Sequence, residues 1–146
     1  MLRGNAPATI DAKGRLKIPT AFRRAIEDKH GSDFFVTSID GEGVRLYPFP
    51  VWLEMEKKMA DLPSLGPEVD LLQDLFSYYG AEATMDKQGR LVIQQHLRES
   101  AEMKGEVAVL GKTNYLEVWN DQRFRARLQD RKLSREDRRI LAAHGL

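Results

Sequence analysis

Apolar positions recur along this chain in two rhythms. Short β-branched or alternating runs read as strands, and three- or four-residue spacings over longer stretches read as helices. The strand-like runs are Ala6–Ile10, Arg15–Ile18, Asp33–Ile39, Val44–Tyr47, Ala81–Met85, Arg90–Ile93, Glu106–Leu110 and Tyr115–Trp119, bounded by Gly, Asn and Asp. Helical spacing runs through Thr20–Asp28, Val51–Leu62, Glu68–Tyr79, Gln95–Met103 and Asp121–Arg131. Pro50 stands near the start of one such stretch, with Val51, Met55 and Met59 on one face. Pro67 and Gly80 bracket another, with Leu71, Leu72, Leu75 and Phe76 on one side. Ser134-Arg-Glu-Asp137 resembles a capping signal and predicts a last helix over 135–143.

The order of these elements repeats. Asp11-Ala-Lys-Gly-Arg-Leu-Lys-Ile18 returns as Asp86-Lys-Gln-Gly-Arg-Leu-Val-Ile93, 75 positions later, and Phe22-Arg23 matches Leu97-Arg98 at the same spacing. The second copy then loses three residues, so Leu46-Tyr47 faces Val118-Trp119 at a spacing of 72. Each copy reads strand, turn, strand, helix, hairpin, helix. The copies span 5–62 and 80–131; a helical segment, 63–79, joins them, and 132–146 is an unrepeated tail. A unit of about 55 residues buries too little surface to be comfortable alone, so the copies are expected to share one core. The expectation is an α+β, β-rich fold of two pseudo-symmetric halves with short helices outside.

Composition changes the picture in one respect. The 146 residues are 42% hydrophobic and 31% charged, the balance of a globular protein. Cys is absent, which removes disulfides and thiolate chemistry. No apolar run is long enough to span a membrane and the N-terminus is unlike a secretory leader, so a cytoplasmic protein is expected. Net charge is only +1, but it is segregated. Residues 1–24 hold six basic residues against Asp11 alone, and 123–146 hold eight against three, +5 in each case. Residues 25–83 hold four against twelve. Such segregation suits an anionic partner on one face, because steering follows local potential.

The duplicated DxxGR turn supplies candidate chemistry. Gly14 and Gly89 can take positive φ and let the chain reverse tightly. Asp11 and Asp86 can accept from the turn's own amides or pair with a neighbouring arginine. Lys13, Arg15, Lys17, Lys87 and Arg90 then lie at or beside the tip of a two-stranded ribbon of a width that fits a major groove. Arginine offers a planar fork for guanine or phosphate, and lysine a point charge for the backbone. The bland alternative is a turn in which Asp and Arg only neutralise each other.

Arg3-Gly4-Asn5, Asp11-Ala-Lys-Gly-Arg15, Ile18-Pro19 and the later Asp86-Lys-Gln-Gly-Arg90 closely resemble the MraZ family, in order over residues 1 to 131. The resemblance implies bacterial transcription regulators with a double AbrB-like swapped-hairpin fold. It also implies a homo-oligomeric ring, of roughly eight or more subunits; two similar but non-identical halves can present the head-to-tail interface that closes a ring. It further implies binding to double-stranded DNA at short direct repeats upstream of the division and cell-wall gene cluster, and a nucleoid-associated location. Its DNA-contacting motif falls on Asp11, Lys13, Gly14 and Arg15 and on Asp86, Gly89 and Arg90, with Arg3 at a neighbouring family position. Ile93-Gln94-Gln95 departs from the family's Ile-Pro, which predicts an altered helix start, and the second turn keeps less local charge.

Rival readings are weaker. Gly105 through Thr113 has five residues between its glycines, where a phosphate-binding loop has four, and its interior reads as a strand. His30, His96 and His144 form no ligand pattern, so neither a metal, a cofactor nor an enzyme is expected. An antidote-type protein-interaction module is the alternative. Trp52, Met55, Met59, Leu62 and the Leu71–Phe76 stripe read as core or subunit interface.

Overall fold

The computed structural model describes residues 1–62 and 66–146. The strands are β1 (Asn5–Ile10), β2 (Arg15–Lys17), β3 (Asp33–Thr37), β4 (Val44–Pro48), β5 (Ala81–Thr84), β6 (Arg90–Val92), β7 (Gly105–Gly111) and β8 (Leu116–Asn120). The helices are α1 (Thr20–His30), α2 (Phe49–Ala60), α3 (Pro67–Tyr79), α4 (Gln95–Ala101), α5 (Asp121–Asp130) and α6 (Arg135–Ala143). The joining helix is thus α3; residues 63–65 of the expected 63–79 segment lie outside the described residues.

All eight strands form one antiparallel sheet in the order β5-β3-β4-β8-β7-β1-β2-β6. Its end strands β5 and β6 also approach each other, so the sheet curls almost to closure. Closure of this kind leaves little unpaired edge. The copies exchange strands. β1 of the first copy lies along β7 of the second, from Asn5↔Leu110 to Ile10↔Gly105. β5 of the second copy lies on β3 of the first, from Asp33↔Thr84 to Val36↔Ala81.

Two further pairings join the halves about a pseudo-twofold axis. In β2·β6 the central pair is Leu16↔Leu91, and in β4·β8 it is Arg45↔Glu117. Both pairs occupy matched positions of the repeat. Leu16, Leu91, Val36, Val44, Leu46, Val109, Leu116 and Val118 are fully buried, so inward-facing residues from both copies build a single core. Alternation along a strand explains why: Val44 and Leu46 point in while Arg45 points out. A second cluster of Tyr47, Val51, Trp52 and Phe76 fills the space under α2 and α3, with Phe35 stacked on Trp52 at 4.2 Å.

One expectation from the sequence needs correction. The helix start after Ile93 is not altered: Gln94 caps α4 at φ −61°, ψ 146°, close to Pro19 before α1 at −53°, 137°. Proline's fixed φ is replaced by side-chain bonds, since the Gln94 amide donates to the carbonyls of Val36 and Tyr79. As the sequence reading of this segment expected, the run from Gly105 is a strand and not a phosphate-binding loop: β7, Gly105–Gly111, is paired with β1 on one side and β8 on the other. The tail does form a helix; Ser134 Oγ accepts from Asp137 N at 3.0 Å and Asp137 Oδ2 from Ser134 N at 2.9 Å.

Candidate nucleic-acid interface

The two DxxGR turns are built identically. Asp11 Oδ1 accepts from the amides of Lys13 (3.0 Å) and Arg15 (2.9 Å), and Asp86 Oδ1 from those of Gln88 and Arg90 (both 2.9 Å). Gly14 N donates to Asp11 O and Gly89 N to Asp86 O, with φ of +81° and +77° at the two glycines. Each aspartate also holds the arginine that closes its turn: Arg15 Nε donates to Asp11 Oδ2 at 2.7 Å, and Arg90 Nε to Asp86 Oδ2 at 2.9 Å. These bonds pull both carboxyl groups below their ordinary range, chiefly through the arginine backbone N–H.

The aspartates do pair with the arginines, yet the arginines are not turned inward: their side chains keep 29% and 30% exposure. Each aspartate engages Nε, and the terminal nitrogens make no hydrogen bond among the described residues. A guanidinium fixed in this way loses little freedom when a second anion meets its fork.

Strand pairing then brings the turns to one surface. In β2·β6, Arg15 faces Val92 and Lys17 faces Arg90, on the side opposite the buried Leu16–Leu91 pair. Arg15, Lys17, Arg90 and the exposed Val92 accordingly share one outward face, with Lys13 and Lys87 on the turns at either end. From strand geometry, Arg15 and Arg90 stand roughly 8 Å apart across the ribbon. With Asp11 and Asp86 included, this surface carries five cations and two anions.

The ribbon differs from a free protruding hairpin. β1 and β2 pair only at Ile10↔Leu16, and both turns are buttressed by the opposite copy. Ile18 N donates to Gly89 O and Ile93 N to Gly14 O, each at 2.9 Å. Arg98 of α4 lies over Gly14, where an added Cβ would come within 2.4 Å of its Cζ; Arg23 of α1 lies over Gly89 in the same way. These matched arginines were visible in the repeat at Phe22-Arg23 and Leu97-Arg98, but nothing in sequence spacing indicates that each crosses to the other copy's turn. Their bonding differs. Arg23 donates to Glu27 and to Lys87 O, whereas Arg98 Nε is buried without a hydrogen-bond partner among the described residues.

Arg3 lies apart from the two turns. β1 is extended from Asn5 to Ile10, which sets Arg3 more than about 20 Å from the Asp11 turn at strand rise. It sits instead beside Gly111 and the Leu2↔Thr113 bridge, at the β7–β8 hairpin. Nearness in sequence is undone by the strand between.

Comparison with known proteins places these features in context. Residues 80–142 match the family described as "MraZ protein, putative antitoxin-like". The chain is 46% identical to the "Transcriptional regulator MraZ" of Koribacter versatilis over 147 aligned residues, covering all of both chains. It is 42% identical to the protein of the same name from Acidobacterium capsulatum, again over the full length of both. The like-named protein of Colwellia psychrerythraea is 33% identical over 129 residues, 88% of this chain and 85% of that one.

Proposed function

Because the chain belongs to the MraZ family of transcriptional regulators, we propose that it binds DNA sequence-specifically through the outward face of β2·β6 and the two turns at its ends. The observation that carries this reading is the single surface on which the pseudo-twofold sets Arg15, Lys17 and Arg90, with both arginines held by their own turn. Arg15 and Arg90 read base edges or grip phosphate with their free terminal nitrogens, while Lys13, Lys17 and Lys87 hold the backbone. The turn carrying Arg15 is the stronger contact, since its strand adds Lys17 where the second copy has Val92.

The target in this reading is a set of short direct repeats upstream of the division and cell-wall gene cluster, bound in the cytoplasm at the nucleoid. A ring of subunits presents several ribbons to repeats spaced by about one helical turn, roughly 10 bp. Weak contacts joined in one ring reinforce each other through effective concentration. Leu53, Leu71 and Tyr78, at 50%, 58% and 68% exposure on α2 and α3, offer the apolar surface such assembly needs. A mobility-shift titration of the DNA upstream of the chain's own gene tests the proposal. Tight, sequence-dependent retardation is expected, and equal affinity for scrambled DNA would refute it.

A further inference from the structure

The β4·β8 seam joins unlike halves and contains three side-chain pairs on its outer face that are complementary only because the halves differ. At the centre stand Arg45 and Glu117, Cα partners and equivalent positions of the repeat. Arg45 Nε lies 3.7 Å from Glu117 Oε2, and their side chains keep only 21% and 14% exposure. Each ion is supported further. Arg45 Nη1 donates to the Tyr47 hydroxyl at 2.9 Å and its guanidinium lies 5.2 Å from the Tyr115 ring centre. Trp119 Nε1 donates to Glu117 Oε1 at 2.7 Å.

The flanking pairs follow the same rule. On one side the Trp119 indole packs over Gly43, where an added Cβ would come within 2.7 Å of the ring. On the other side Tyr47 stacks on Tyr115 at 4.8 Å. At the repeat spacing of 72, Gly43 corresponds to Tyr115 and Tyr47 to Trp119. The buried face of the same seam carries no such distinction, since Val44, Leu46, Leu116 and Val118 are interchangeable apolar residues.

A two-fold seam made from identical halves would bring each central residue against itself. Two first halves would oppose Arg45 with Arg45, and two second halves Glu117 with Glu117, each mostly withdrawn from water. Two second halves would also set Tyr115 against Trp119 on both sides, where the native seam has a glycine. Like charges directly across a sheet are unfavourable, and withdrawal from water strengthens the effect. We propose that the outer face of β4·β8 is a selectivity surface: it admits the unlike half of this chain and rejects the like half of a second copy. Discrimination of this kind needs a repulsive element against the wrong partner as well as an attraction toward the right one. It matters for an oligomer, because subunits held at high local concentration otherwise exchange halves. The inference stands apart from DNA binding.

The chain has no cysteine, so introduced thiols report pairing without interference. Val44 and Val118 are Cα partners in an antiparallel pair, within disulfide reach. One full-length chain carries Val44→Cys with Arg45→Glu, and another carries Val118→Cys with Glu117→Arg. The two are unfolded together, refolded, oxidised and run on a non-reducing denaturing gel. Reference chains carry the cysteines alone. The charge-altered mixture, whose unlike chains are complementary, is expected to give roughly tenfold more inter-chain disulfide than the reference mixture. A single chain with both cysteines and both charge reversals is expected to fold and close its disulfide internally. Equal inter-chain yields would overturn the proposal. So would a charge-altered mixture that forms no cross-link, or a double reversal that fails to close within the chain.

Discussion

At the residue scale, the aspartate of each turn does two jobs with its two oxygens. Oδ1 gathers backbone amides and fixes the loop; Oδ2 fixes the arginine stem. Its pKa is held below the ordinary 3.8, so its contribution to the turn is complete above that value and disappears as pH falls through the lowered one. An NMR titration should therefore show Asp11 with a midpoint under 3.8, and the Lys13 and Arg15 amides unchanged from neutral pH down to about 5. A midpoint at or above 3.8 would mean that the carboxylate does not hold the turn. Gly14 is under a double constraint, with φ at +81° and the Arg98 guanidinium where a Cβ would go. Gly14→Ala is expected to cost about 1–3 kcal/mol in denaturant unfolding. The turn's chemistry was legible in the sequence because Asp, Gly and Arg each have few physical reasons to recur at that spacing. The crossing of Arg23 and Arg98 was not, because it depends on which copy's turn each helix meets.

At the element scale, the important fact is that β2 pairs with β6 rather than mainly with β1. Sequence alternation places Leu16 and Leu91 inward and Arg15, Lys17 and Arg90 outward, but it does not say that the two short strands are neighbours. That followed only from the exchange of β1 and β5 between halves, a long-range choice to which local periodicity is blind. The same exchange removes Arg3 from the basic cluster. Most strands and helices lie where their apolar rhythm puts them, differing by a residue or two at the ends. Leu16→Ala, at the fully buried centre of the ribbon, should destabilise the fold by about 2–5 kcal/mol. Val92 offers a cleaner probe because it is 52% exposed and sits beside Arg15. Val92→Glu should leave thermal unfolding almost unchanged and weaken DNA binding, whereas Val92→Lys should strengthen it. Equal affinity for both variants would place the DNA on another surface.

At the scale of the whole molecule, two copies too small to stand alone become one fold by lending each other strands. The fusion lets the halves diverge, and they have: one turn carries Lys13 where the other has Gln88, and the outer seam has Arg45 against Glu117. Five basic residues thereby meet on one ribbon, while α3 carries acidic residues in its first turn and exposes Leu71 and Tyr78. If Lys13, Arg15, Lys17, Lys87 and Arg90 of one chain all meet phosphate, log affinity should fall against log salt with a slope of about −4.5 per engaged chain. A slope near zero would remove the phosphate contacts from the account. If chains assemble through the exposed apolar residues of α2 and α3, Leu53→Glu with Leu71→Glu should lower the mass seen by light scattering without unfolding the chain. The central claim is that the β2·β6 face meets the duplex, and it is tested most directly by titrating the DNA upstream of the chain's own gene with the natural protein and with Arg15→Ala at one salt concentration. Arg15→Ala is expected to lose roughly tenfold to a hundredfold in specific affinity with fold and molecular mass unchanged. Unchanged affinity, or a variant that no longer folds or assembles, would contradict it and leave the Asp11–Arg15 pair a purely structural feature.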